Sequence, residues 1–363
     1  MKKKSSFVLI LLLFSCNNIK EKANNVPNFD MIGAKNISFD ELVIGVECFN
    51  LIAPETDFCF KIIEYDAFFY LYSFGGVSVF RKSGEYVRTI TSRSIPNDIL
   101  VNEREKQLWI LDNLDVIKKY SLDGQYIEQQ KLSFKAAKIA PAGINHFLFF
   151  EGALDKSSPS FLRIVSGDDF STIKRFVPKY NINNTIPIST FAYNSDRTHI
   201  YLPYNDTIYD FDNTNLNIIP RWHLDFSGDF LTHNDIPEGG FSDRQYADLM
   251  KENTKYMGIQ GVHNVNKFIF MQLNGKDNSF RVIDITNNII YRYNTLIDNI
   301  KVSPQGSTTD GLLVVMTTKD FILHYSNPKN GTQYESIKEL INKVSELDKG
   351  LIVLKIKIKE DLP

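Results

Sequence analysis

A short aromatic strand, a turn, a second strand, a polar turn and a third strand recur six times along this chain, which predicts an all-β fold, a six-bladed β-propeller. Two further observations agree. The copies start near residues 68, 108, 147, 200, 268 and 312, and the period of roughly 40 to 50 residues, broken by one enlarged gap, suits a four-stranded blade. Aromatic residues make up 13% of the 363, with 27 Phe and 17 Tyr, a bias toward strands. An open β-sandwich also has many short strands, but it does not repeat one strand-turn-strand grammar six times.

The first copy runs Phe68–Tyr72, Val77–Phe80, the turn Lys82-Ser83-Gly84, then Tyr86–Ile90. The second runs Leu108–Leu111, Val116–Tyr120, the turn Leu122-Asp123-Gly124, then Tyr126-Ile127. Ser-Gly and Asp-Gly between strands are hairpin signals, because glycine accepts positive φ at little cost. Looser copies follow at Phe147–Phe150, Ile200–Leu202 and Phe268–Met271, and a sixth pairs Leu312–Met316 with an expected strand over Phe321–Tyr325. A blade cannot bury both faces alone, so the six must stack into a ring.

Two helices interrupt the pattern. Ser242 and Gln245 stand at capping-box spacing and open a helix within the enlarged gap, ahead of blade five. Ile337, Leu340, Ile341, Val344 and Leu347 recur at helical spacing and predict an amphipathic C-terminal helix. The strand Leu351–Lys357 then returns to complete the sixth blade, with an early strand near Ile37–Val46 adding to the closure. Joining both chain ends in one sheet removes an exposed edge.

The N-terminus reads as an export signal over residues 1–15. Lys2, Lys3 and Lys4 precede the apolar run Phe7–Phe14, which is far short of the roughly 20 residues needed to span a bilayer. Leu13-Phe14-Ser15-Cys16 resembles a bacterial lipobox, with Cys16 as the lipid-bearing residue. The expected partner is therefore a membrane, held through acyl chains that each contribute about 0.8 kcal/mol per buried CH₂. Residues 16–28 read as a polar tether and 29–363 as the propeller. Asn17 after Cys16 resembles outer-membrane sorting, so the expected location is the cell envelope, facing the periplasm.

With the signal lysines removed, 38 basic residues face 43 acidic ones, and no basic excess points to nucleic acid. Phosphate-loop and dinucleotide fingerprints are missing, as is a nucleophile elbow. The six histidines do not pair at metal-ligand spacing, and Asp210-Phe211-Asp212 fails as a calcium loop because Asn215 and Arg221 occupy the positions that need Gly and Glu. No cofactor or metal is expected, and no catalytic residue is assigned. Cys48 and Cys59 either form a disulfide in an oxidising compartment or remain buried thiols. The enlarged gap, from about Ser227 to Val262, is the expected binding region. It and its edge hold Phe230, His233, Phe241, Arg244, Tyr246, Tyr256 and His263, and long excursions from a rigid scaffold often carry function.

In their order along the chain, three stretches resemble the six-bladed propeller lipoproteins of gut-type Gram-negative anaerobes. They are Asn50–Thr56, the hairpin Val79–Val87, and Leu224-Asp225-Phe226 followed by Asp235-Ile236-Pro237-Glu238. The stretch Ser92–Asp98 departs from that pattern, keeping only the proline of a Gly-rich turn. The resemblance implies an NHL-like propeller that binds partners, protein or glycan, more than it catalyses. The expected role is thus a lipid-anchored binding or scaffold module. The alternatives are a carbohydrate-binding or carbohydrate-acting propeller and a metal-dependent, lactonase-like enzyme, whose ligand motifs this sequence lacks.

Overall fold

The computed structural model describes residues 26–361 except 53–57, 92–95, 152–160, 177–189, 194–196, 203, 238–241, 253, 277–278 and 345–349. Cys16, the signal segment and Phe241 lie outside the described residues.

Strand b of blade 1, Phe68–Ser73, is buried at every position. A strand reads this way, with no polar alternation, when both of its faces are covered. Phe69 and Leu71 join a cluster with Leu313, Val315 and Val353, while Tyr70 and Tyr72 join another with Ile99, Val101 and Ile110. Successive side chains thus pack against opposite neighbours, and the same holds round the molecule. Six sheets stand side by side, and each of six apolar clusters fills the space between one adjacent pair. The inner strands, Lys61–Tyr65, Asp98–Asn102, Lys138–Pro141, Phe191–Tyr193, Tyr256–Val265 and Gly306–Ser307, each touch the next, and the last touches the first. The ring is closed: a six-bladed propeller.

Closure comes from both termini. Blade 6 contains Gly306–Ser307, Gly311–Thr317 and Leu351–Ile358, and its outer strand is Val43–Leu51 from the other end of the chain. The two terminal strands pair antiparallel from Leu351↔Leu51 to Ile358↔Val43. The early strand is shifted from its expected position, because Phe39–Leu42 instead forms a 3-10 turn capped by Ser38 and Glu41, with Phe39 and Leu42 in the core. Upstream, Asn28–Asp30 adds in parallel to the outer strand of blade 4, and Lys35–Asn36 adds in parallel to that of blade 5. The segment expected to end the tether is therefore already paired at Asn28. As it crosses three rims, it drops Phe29 and Met31 between blades 4 and 5, Phe39 and Leu42 between 5 and 6, and Leu51 between 6 and 1.

One expected strand is a helix. Residues Thr318–Tyr325 form α2, whose N-cap Thr317 accepts from the Asp320 amide, with Phe321 buried beneath it. The partner strand that Phe321–Tyr325 was expected to supply comes from Leu351–Ile358. The two other helices, α1 (Asp243–Glu252) and α3 (Glu335–Ile341), lie within the stretches expected to be helical, α3 ending short of Val344 and with Leu347 outside the described residues. Ser242 and Gln245 make the reciprocal capping bonds ahead of α1, while α3 buries Ile337 and Leu340.

The two faces of the ring differ. Among the described residues, turns between first and second strands (66–67, 103–106, 142–145, 266–267, 308–310) and between third and fourth (82–85, 122–125, 167–171, 213–216, 285–288) are all short. The strand ends on either side of the longer stretches between blades (Leu51 and Lys61, Ile90 and Asp98, Lys131 and Lys138, Phe176 and Phe191, Asp225 and Tyr256, Tyr293 and Gly306) and within blades 3 and 6 (Phe150 and Leu162, Thr317 and Leu351) lie at the opposite face. We call these the turn face and the loop face.

Candidate functional site

The inner strands line a central channel that encloses a cavity of about 350 Å³, near the lower end of the range for small-molecule sites. Its walls are apolar at Phe60, Ile62, Ile63, Ile139, Phe191 and Val262, with a few polar groups set among them. Lys61, Asp98 and Lys138 are the first residues of three consecutive inner strands. They therefore sit at one level, at the loop-face end. In the sequence each heads a short apolar run (Lys61-Ile62-Ile63, Asp98-Ile99-Leu100, Lys138-Ile139-Ala140) ahead of a repeat. That charged residue at a repeating position is the signal by which a sequence reading could have found them.

Asp98 is fully engaged. Its Oδ1 accepts from Lys61 Nζ at 2.8 Å and from the Ile99 amide at 2.9 Å, and its Oδ2 accepts from the Ile139 amide at 3.1 Å. The carboxylate thus ties blades 1, 2 and 3 together. Lys61 also donates to the Ile99 carbonyl at 2.8 Å and lies 5.8 Å from the Tyr193 ring centroid. Its pKa is raised above the ordinary lysine value: burial works against the charge, but Asp98 and Tyr193 together outweigh it. Lys138 goes the other way. Removal from water lowers it, Asp98 opposes, and the Lys61 charge lowers it further.

His263, also on the channel wall, is pushed down to about 4 by burial, so it is neutral at pH 7. The neutral ring donates from Nε2 to the Pro304 carbonyl at 3.1 Å, and Nδ1 is then an acceptor. Burial raises Tyr72 to about 12, and its hydroxyl donates to the Pro96 carbonyl. Thr190 lines the channel at 1% exposure, and its hydroxyl has no hydrogen-bond partner among the described residues.

At the loop-face mouth an aromatic run leads from solvent into the channel. Phe58 and Phe74 are exposed and stack at 6.2 Å between ring centroids. Both meet Phe60 edge-on, at 4.9 and 4.5 Å. Phe60 in turn lies 5.3 Å from Tyr72, and these two rings line the cavity.

The residues singled out in the insertion that the structure describes take different places in the fold. Phe230 and Tyr256 are core residues: Phe230 stacks on Phe226 at 4.7 Å, and the Tyr256 hydroxyl accepts from Arg281. Arg244 is exposed on α1, 3.9 Å from Asp248. His233 lies in a 3-10 turn and Tyr246 on α1. His263 lies on the channel wall. Cys48 and Cys59 are free thiols rather than a disulfide. The Cys48 thiol donates to Ser336 and the Cys59 thiol to the Lys61 carbonyl, and burial pushes them up to about 11 and about 12, which keeps both protonated and unreactive. No cluster of His, Cys, Asp or Glu suited to a metal occurs among the described residues. Among them, too, no helix is long and apolar enough to cross a membrane.

A family profile described as "6-bladed beta-propeller" matches residues 69–305. Among solved structures, a Bacteroides fragilis protein described as exported superposes with a TM-score of 0.70 at 18% identity, covering 92% of this chain and 100% of that one. The WD40 domain of Neurospora crassa Pan2 (TM-score 0.43, 10% identity, 84% of this chain and 77% of that one) is more distant. So is BamB of Moraxella catarrhalis (0.41, 10%, 82% and 83%). No curated protein matches the chain.

Proposed function

The chain belongs to the 6-bladed beta-propeller family, and from that premise we propose that it is an exported, lipid-anchored binding module of the cell envelope that receives its ligand at the loop face. The observation that carries this reading is the one-sided construction of the ring. The strand ends that bound the long stretches between elements all lie at the face where the Phe58–Phe74 pair is exposed, while the described turns within blades at the opposite face are short. Rigid scaffolds present recognition on loops in this manner. The lipobox-like Cys16 supplies the anchor, and the exported neighbour from Bacteroides fragilis is consistent with an envelope location.

The test is capture from solubilised envelopes. Wild-type protein retains a stoichiometric partner or glycan; Phe58→Ala with Phe74→Ala loses it, and the turn-face changes Glu105→Ala and Asp169→Ala do not. Equal capture by all variants, or capture lost only on the turn face, refutes the assignment. Replacement of Cys16 that leaves palmitate labelling intact refutes the anchor. A carbohydrate ligand is the second reading, favoured by the solvent-facing Phe58 and Phe74 rings, which offer a stacking surface. Polysaccharide calorimetry that stays blank removes it.

A further inference from the structure

The loop-face end of the channel holds two ammonium groups, Lys61 and Lys138, against one carboxylate, Asp98. Asp98 is committed to Lys61 and to two backbone amides. That leaves Lys138 as a cation without a hydrogen-bond or ion-pair partner among the described residues, on the strand next to the one that Thr190 introduces. Thr190 is a buried hydroxyl whose oxygen is likewise unpartnered. A buried polar group left unpaired is costly; here the buried Thr190 hydroxyl and the half-buried Lys138 ammonium line one cavity on adjacent blades. We infer that Lys138 and Thr190 form a subsite for the carboxylate of a small monoanionic ligand, whose apolar or ring-bearing body lies against Ile139, Phe191 and Val262. This rests on, and deepens, the reading of the propeller as a binding module.

Charge selects the ligand class. A monocarboxylate brings the loop-face end of the channel to neutrality. A phosphate dianion overshoots it and faces the Asp98 carboxylate, which sits beside Lys138 through its bond to the Ile139 amide. The two carboxylate oxygens match the two available donors, one ammonium and one hydroxyl. The cavity of about 350 Å³ admits one ring or a short chain. Loss of water and the Lys61 charge both disfavour protonated Lys138, with Asp98 opposing, and the charge of an incoming anion offsets them.

Calorimetric titration of the mature chain with benzoate, inorganic phosphate and benzylamine tests the inference. Benzoate binds, phosphate binds at least about tenfold more weakly, and benzylamine does not bind. Lys138→Met lowers benzoate affinity by about tenfold or more, the size of one charge-assisted hydrogen bond. Thr190→Val lowers it severalfold, and Lys138→Arg retains it. A second readout needs no variant at the lysine: in reductively ¹³C-methylated wild-type protein, the Lys138 signal titrates below the ordinary lysine value and moves up in pKa when benzoate is added. No benzoate binding, binding indifferent to both Lys138→Met and Thr190→Val, or phosphate binding as well as benzoate overturns the inference. Envelope capture by the loop face surviving such a result leaves the binding-module reading standing, so the two fail separately.

Discussion

Truncation from the N-terminus should destabilise the ring in steps set by which blade gaps lose their plugs. Chains lacking the signal and starting at residue 26, 33, 43 or 52 isolate the contributions. Starting at 33 removes Phe29 and Met31 from between blades 4 and 5. At about 1.5–3 kcal/mol per buried side chain, the loss is about 3–6 kcal/mol. A ring of this length unfolds with an entropy of about 0.7 kcal/mol/K, so Tm falls by roughly 4–9 °C. Starting at 43 also removes Phe39 and Leu42 and about doubles the loss. Starting at 52 further removes Val43, Val46, Leu51 and the whole strand paired with Leu351–Ile358. Seven buried apolar side chains are then gone, about 10–20 kcal/mol, which equals or exceeds the roughly 5–15 kcal/mol that holds a typical protein folded. Far-ultraviolet melting and limited proteolysis follow the series. A chain starting at 52 that melts cooperatively within a few degrees of the chain starting at 26 refutes closure by paired termini.

Three other outcomes are expected. His263 is held near 4 when folded but lies near 6.5 when unfolded, so its contribution is present above pH 6.5 and is lost as pH falls toward 4. The urea midpoint of His263→Gln should therefore fall less than that of the wild type over this window, and parallel profiles contradict the assignment. Arg163 is buried with Glu151, its Nη2 3.1 Å from Oε2 and its guanidinium 4.1 Å over the Phe134 ring. Arg163→Met should cost about 3–5 kcal/mol by denaturant titration, and adding Glu151→Gln should recover part of it; a double variant no better than the single one counts against a pairwise origin. Gly84 has φ +91°, and a Cβ there would stand 2.3 Å from the Asn50 carbonyl oxygen, so Gly84→Ala should lower Tm by several degrees, whereas an unchanged melt shows that the turn and closing strand do not abut.

The second strand of each blade was legible because its side chains face a neighbouring blade on both sides. That requirement turns Phe68–Ser73 and Leu108–Leu111 into unbroken apolar runs, and Gly84 and Gly124 mark the turns after the third strands. The same rule misled at Phe321–Tyr325, which is apolar enough for a strand. There the Thr317 cap and the space over blade 6 decided for a helix. The candidate site was hardly legible. Lys61, Asp98 and Lys138 are unremarkable as single residues, and the insertion drew attention because it holds aromatics. Two of those, Phe230 and Tyr256, are core residues.

By itself the sequence determined the number of blades, the outer three strands of the clearest copies, the capped start of α1, the position of α3 and the return of the last strand to close the ring. These follow from local periodicity and turn chemistry, which act over a few residues. The tertiary structure decided that residues 28–51 cross three rims, that the strand ends bounding the long stretches share one face, and that three charges separated by about 40 residues each meet in one channel. Such contacts depend on how far each blade rotates about the common axis. That rotation is set by packing between sheets, and no single segment encodes it.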